Sequence, residues 1–176
     1  MRSVILGLGV SLDGYIARPD GTFDFLFMPK DFSMAEFFAS VDTAVMGRKT
    51  YEVTKAMAGA PDAGKSGPKI TNYVFSRSLP TGERDGFIFV NQSPESLIEE
   101  IRKEKGKDIW LSGGGQLARD FLAADLVDEI HLGVVPVLIG AGLPAFPAGF
   151  PQRNFGLMEN KTFSQGLVSI KYKRVR

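Results

Sequence analysis

The sequence predicts a single-domain α/β protein built on a mixed sheet, and three observations carry that expectation. Short apolar runs alternate with helical patterns through most of the chain, the pattern of parallel strands joined by crossover helices. Two of those runs end abruptly in glycine and pass straight into a helix, at Val45-Met46-Gly47-Arg48-Lys49-Thr50-Tyr51 and at Ser112-Gly113-Gly114-Gly115-Gln116. The final apolar runs surround Ser164-Gln165-Gly166 with no helix between them, as in an antiparallel hairpin. The 176 residues show no internal repeat and no dividing linker, and a chain of that length fills one core.

Residues 3–10 read as a buried strand, stopped by the turn signal Asp13-Gly14. A polar loop covers 18–24, with Pro19-Asp20-Gly21 as its turn. Met34, Phe37, Phe38 and Val41 recur at helical spacing, so a first helix is expected over 33–40. A strand over 42–47 and a helix over 50–57 follow. Residues 58–69 combine turn formers with little apolar content and are expected to make an exposed, mobile loop. Strands over 70–76 and 87–90 lead to Ser93-Pro94-Glu95-Ser96, which opens a helix with serine as N-cap, proline at the first position and an acid in the first turn. That helix runs to Lys105 and stops at Gly106. A strand over 108–111 precedes a helix over 116–124, whose Leu117, Phe121 and Leu122 share one face. A strand over 129–137 and the hairpin strands 155–163 and 167–175 complete a central mixed sheet flanked by about four helices.

Composition narrows the chemistry. With no cysteine, disulfides, thiol nucleophiles and cysteine–zinc sites are excluded, and a cytoplasmic location is expected. One histidine, His131, leaves no histidine-rich metal centre, and it reads as a half-buried structural residue of its strand. Basic residues number 21 against 20 acidic ones, so no global field argues for nucleic acid and cationic side chains must act locally. No signal peptide or membrane span is expected, because the apolar run at 3–10 is short and meets Asp13-Gly14 at once.

Each strand–glycine–helix junction presents free backbone N–H groups and the positive end of a helix dipole, which suit an anionic phosphate. At Gly47 the bare backbone lets a ligand approach, Arg48 and Lys49 can pair with phosphate oxygens, and Thr50 can cap the helix or donate its hydroxyl. The alternative is a plain junction with solvated cations. Gly113-Gly114-Gly115 fits a pyrophosphate above a helix N-terminus, or else a tight packing contact. It matches neither the Rossmann nor the P-loop spacing. Ser76-Arg77-Ser78 could take a ribose 2′-phosphate, which selects NADPH over NADH, or could be an ordinary polar loop. Candidate acids are Asp13, Asp24, Asp31 and Glu36, with Asp31 also placed to cap the first helix.

In order and spacing these motifs resemble the dihydrofolate reductase fold from the first strand to the terminal hairpin. Residues 45–52 are similar to that family's phosphate-binding segment, Val74-Phe75-Ser76-Arg77 to its adenosine-side strand end, and Gly113–Gln116 to its diglycine pyrophosphate site, whose peptide is cis. Ala145-Phe146-Pro147 falls where the family has a phenylalanine–proline pair. Ser11-Leu12-Asp13-Gly14-Tyr15-Ile16-Ala17, residues 125–130 and Val135-Pro136-Val137-Leu138-Ile139-Gly140 resemble more closely the reductase domain of bifunctional riboflavin-biosynthesis deaminase–reductases. The zinc-binding deaminase half has no counterpart in this cysteine-free sequence.

The resemblance implies an NADPH-dependent reductase acting on a small polar heterocycle or its sugar, with dihydrofolate reductase, or a nucleotide-binding module without turnover, as alternatives. It implies a cofactor set of Gly9, Ile16, Gly47, Arg48, Lys49, Thr50, Ser76, Arg77, Ser78, Ser112, Gly113, Gly114, Gly115, Gln116 and Leu117. Asp31, and after it Asp13, is implied as the acid or substrate anchor, and a homodimer is implied through residues 134–146. The substrate side departs from both patterns. Gly133 stands where the folate enzymes carry a threonine, and Tyr51-Glu52-Val53-Thr54 replaces the acidic, proline-containing loop of the riboflavin enzymes.

Overall fold

The computed structural model of the chain describes residues 1–58 and 69–176. The expected mobile loop at 58–69 lies, apart from its two end residues, outside the described residues. Strands β1 (Val4–Val10) and β2 (Tyr15–Ala17) precede helix α1 (Ala35–Ser40), β3 (Val41–Gly47) and α2 (Arg48–Ala58). Then come β4 (Thr71–Phe75), β5 (Gly82–Arg84), β6 (Phe87–Val90), α3 (Pro94–Lys103), β7 (Asp108–Gly113) and α4 (Gly115–Ala123). The chain closes with β8 (Glu129–Val134), β9 (Leu143–Pro144), β10 (Asn154–Thr162), a 3-10 turn (Ser164–Gly166) and β11 (Val168–Val175).

Nine strands form one sheet in the order β10-β11-β8-β1-β7-β3-β4-β6-β5, with the six from β8 to β6 parallel and the outer strands antiparallel. The expected mixed sheet with four helices is therefore present. Val4, Leu6, Val45, Ile109 and Leu111 face α3 and α4, where they pack on Leu97, Ile98, Ile101, Ala118, Phe121 and Leu122. Ala44, Met46, Val74 and Phe89 face the other way, toward Tyr51 of α2. Trp110 on that face meets Phe37 and Phe38 of α1 edge-on, at centroid distances of 5.6 and 5.7 Å. The period-two alternation of each central strand thus builds two apolar layers.

Several boundaries differ from the sequence reading. Val41, expected on the apolar face of the first helix, opens β3 instead, because α1 is only six residues long and ends at Ser40. The second helix starts at Arg48, directly at the glycine, rather than at Thr50. The expected strand at 129–137 ends at Val134, and Pro136 has no N–H to continue the ladder. The small β2–β9 sheet and the β5 edge strand carry no sequence signal, being two or three residues long. Among the described residues no helix is long and apolar enough to cross a membrane.

Candidate functional site

The crossovers run from β1 outward to β3, β4 and β6, then reverse to insert β7 between β1 and β3. Helix α2 leaves β3 toward one face and α4 leaves β7 toward the other, the topology that leaves a crevice where two neighbouring strands end. Ligands of open α/β sheets bind at such a reversal, beyond the carboxyl ends of the strands. Register brings the sequence motifs together there: Met46 of β3 lies opposite Gly113 of β7, and Gly47 opposite Phe75, the residue before Ser76.

The glycines differ in what requires them. A Cβ at Gly47 would meet nothing closer than the Gly113 oxygen and Gly114 nitrogen at 3.9 Å, and one at Gly114 nothing closer than Thr50 Oγ1 at 3.6 Å. Protein packing does not demand glycine at either position, so both bare surfaces form a cradle facing the crevice. Gly113 has φ +103°, a left-handed value that favours glycine, and its peptide to Gly114 is cis, as the resemblance implied. Gly115 is different. A Cβ there would lie 2.6 Å from the Pro144 oxygen and 3.1 Å from Pro147 Cγ, so packing, rather than access for a ligand, excludes a side chain. The packing alternative raised for the triglycine applies to this one member.

Gly114 is the N-cap of α4 and no side chain caps the helix. The N–H groups of Gly115, Gln116 and Leu117 make up its first turn, while the Leu117 side chain belongs to the core. Ser112, half-buried on β7, immediately precedes the cradle. At the start of α2, Arg48 Nη1 donates to Glu52 Oε1 at 2.5 Å, and both are exposed. Such a pair contributes little stability, yet it holds the guanidinium beside the crevice. Lys49 is exposed and makes no hydrogen bond or ion pair among the described residues. At the end of β4, buried Ser76 accepts at Oγ from the N–H groups of Ser78 and Leu79, at 3.3 and 3.0 Å. Its hydroxyl shapes a turn that carries exposed Arg77, which has no partner among the described residues. The edge thus concentrates Arg48, Lys49 and Arg77 on a chain of near-zero net charge.

The expected acids stand apart from one another. Asp31 accepts from Ser164 through the backbone N–H at 2.8 Å and Oγ at 2.6 Å, tying the segment before α1 to the terminal hairpin turn. The Ser164 hydroxyl, then its amide, lowers the Asp31 pKa. Asp13 accepts from Ser11 Oγ at 2.6 Å and from the Ile139 and Gly140 amides at 3.2 and 2.8 Å. Its pKa is lowered, chiefly by the Ser11 hydroxyl. Both carboxylates therefore anchor loops in their ionised form. Asp24 pairs with Arg18 at 2.6 Å. His131 contacts Glu129 at 3.0 Å beside Phe37, away from the crevice, and burial pushes its pKa down. Gly9, next to last in β1, lies under Leu26, whose Cδ1 is 3.2 Å from the position of a Cβ, and Ile16 lies on β2. Glu52, the partner of Arg48, lies outside the expected site set, although the i,i+4 spacing of the two announces the pair. The seat of Pro144 on Gly115 had no local signal at all.

A family model described as the RibD C-terminal domain matches residues 2–169. The uncharacterized proteins YwjB and YyaP of Bacillus subtilis are each 34% identical, and the aligned regions cover 98% and 97% of this chain and 98% and 94% of those proteins. Among solved structures, one described as a "putative riboflavin biosynthesis protein" from Shewanella sp. PV-4 superposes with a TM-score of 0.82 at 25% identity, covering 99% of both chains. The diaminohydroxyphosphoribosylaminopyrimidine deaminase/5-amino-6-(5-phosphoribosylamino)uracil reductase of Thermotoga maritima superposes with a TM-score of 0.77 at 15% identity. There the match covers 99% of this chain but 57% of that longer one, and it speaks for the fold alone. With relatives 34% identical and a family match over nearly its whole length, the chain belongs to the RibD C-terminal domain family, with a dihydrofolate reductase-like fold.

Proposed function

We propose that this protein is an NADPH-dependent reductase of the riboflavin-biosynthesis type, acting in the cytoplasm on a small polar heterocycle or the sugar it carries. The observation that carries this reading is the convergence of the Gly47–Thr50, Ser76–Ser78 and Gly113–Leu117 segments at one sheet reversal. The cradle of Gly47 and Gly114, the uncapped α4 N-terminus and three local cations fit a dinucleotide with an additional phosphate.

The dinucleotide supplies a hydride to the substrate when bound. In the proposed arrangement Arg48, Lys49 and Thr50 hold phosphate oxygens at the start of α2. The first-turn amides of α4 donate to the pyrophosphate, and Arg77 with the Ser76–Ser78 turn holds the 2′-phosphate. Gly9 and Ile16 border the cofactor, and the substrate lies between β1, the loop after it and α1. Because Asp13 and Asp31 are engaged by loop amides and hydroxyls, the protein's contribution rests on orienting the two reactants rather than on a free carboxylic acid. Exposed Leu138, Leu143 and Phe146 offer an apolar contact for the proposed homodimer, and light scattering tests it.

The direct test is Arg77→Ala. Removing a charge-assisted contact worth about 1.5–3 kcal/mol weakens NADPH by roughly ten- to a hundredfold and leaves NADH nearly unchanged. Binding can be read by quenching of Trp110, the only tryptophan. Equal weakening of both cofactors removes the 2′-phosphate role. NADPH oxidation with 5-amino-6-(5-phosphoribosylamino)uracil, set beside dihydrofolate, separates the two reductase readings. Binding without oxidation of either favours a module without turnover.

A further inference from the structure

Asp13 and the α4 N-terminus are joined by a continuous set of contacts. The Asp13 carboxylate accepts from the Ile139 and Gly140 amides, and the Leu12 N–H donates to the Val137 oxygen at 2.8 Å. These bonds fasten one end of the arm at 137–147 to the turn after β1. Further along, Tyr15 pairs with Pro144 and Ala17 with Leu143 in the β2–β9 sheet, and the Ala145 N–H donates to the Gly14 oxygen at 2.9 Å. The fit is close enough to exclude any side chain at Gly142, where a Cβ would lie 2.3 Å from the Ala17 oxygen. The far end of the arm then seats the Pro144 carbonyl and the Pro147 ring on Gly115, the first residue of α4.

We propose that Asp13 is a positioning residue for the dinucleotide: through the arm at 137–147 it fixes the first turn of α4, whose amides face the crevice. Ser11 completes the anchor, since its hydroxyl donates to Asp13 while accepting the Tyr15 N–H at 2.9 Å. The turn after β1 and the glycine site on β7 thus share one mechanical support. Preorganised amides keep their worth only while held in place, so loosening the arm costs cofactor affinity without touching a cofactor-contacting atom. This inference rests on the cofactor site proposed above.

The test compares wild type, Asp13→Asn, Pro147→Ala and the double variant by amide hydrogen exchange and by NADPH affinity. Asp13→Asn is expected to accelerate exchange at 137–145 and also at 118–120, the first amides of α4 that bond back to its opening turn (Ala118 N–H to the Gly114 oxygen at 3.0 Å), and to weaken NADPH by about tenfold. Pro147→Ala leaves every hydrogen bond of Asp13 intact and removes only the ring half of the seat on Gly115, the Pro144 carbonyl staying in place. It is expected to produce the same change at 118–120, so the proposal stays testable if Asp13→Asn does not fold. Because both act through one support, the double variant should lose little more than the stronger single; multiplied losses mean independent effects and overturn the proposal. Faster exchange confined to the arm, with 118–120 unchanged, also overturns it. Wild-type protein that fails to bind NADPH removes the proposed function instead, while the exchange pattern still decides whether Asp13 holds α4.

Discussion

At Gly47 the absence of a side chain has no structural cause, and that sets it apart from its neighbours. Gly113 needs its positive φ and Gly115 must avoid the Pro144 carbonyl, whereas a methyl at Gly47 meets only ordinary contacts at 3.9 Å. Gly47→Ala is therefore expected to fold at least as stably as wild type, gaining about 0.4–1 kcal/mol from the restricted unfolded chain. It should nonetheless weaken NADPH, because the methyl enters the cradle. Chemical denaturation beside a binding titration separates the two effects. Loss of stability with unchanged binding would return Gly47 to a packing role. The sequence already displayed this glycine at the end of an apolar run with two cations behind it. It could not display the reason for Gly115, because the atoms that exclude a side chain there come from Pro144 and Pro147, some thirty residues onward.

Among the elements, those built by periodicity or punctuation were legible and those built by distant partners were not. β3 and β7 announce themselves as apolar runs ending in glycine, and α3 by its Ser93 cap, whose Oγ accepts the Ser96 N–H. β2 and β9 exist only because residues more than a hundred positions apart pair with each other. The link from the segment before α1 to the terminal hairpin is of the same kind: Asp31 on Ser164, with Phe32 edge-on to Phe163 at 5.1 Å. Asp31 looked like a helix cap or an acid in the sequence, and its partner lies 133 positions away. Its folded pKa is depressed, so its contribution to stability is present at neutral pH and lost as pH falls through and below the ordinary carboxylate value of about 4. The difference in denaturation midpoint between wild type and Asp31→Asn should be present at pH 7 and shrink toward zero in that acid range. His131, whose folded pKa is also depressed, loses stability for the native state as pH falls below about 6.5, but does so equally in both proteins and cancels. A midpoint difference that persists well below the carboxylate range would mean that the substituted amide disturbs the loop by its shape rather than by loss of charge.

Across the whole molecule, stability and the candidate site are held by different parts of α4. The middle of the helix is core: Phe121 is fully buried among Val45, Leu97 and Leu111 and lies edge-on to Phe75, with centroids 6.1 Å apart. Its first turn, by contrast, is seated from outside by Pro144 and Pro147. Phe121→Ala should thus cost about 3–5 kcal/mol through lost burial and the cavity left behind. At about 2–4 °C per kcal/mol for a chain of this size, the melting temperature should fall by roughly 10 °C. Affinity for NADPH, measured well below the transition, should stay near that of wild type, since the first-turn amides keep their external support. NADPH at a hundred times its dissociation constant should then raise stability by about 2.7 kcal/mol in both proteins alike. A parallel loss of affinity in Phe121→Ala would instead mean that the core, and not the arm, orients the glycine end of the helix.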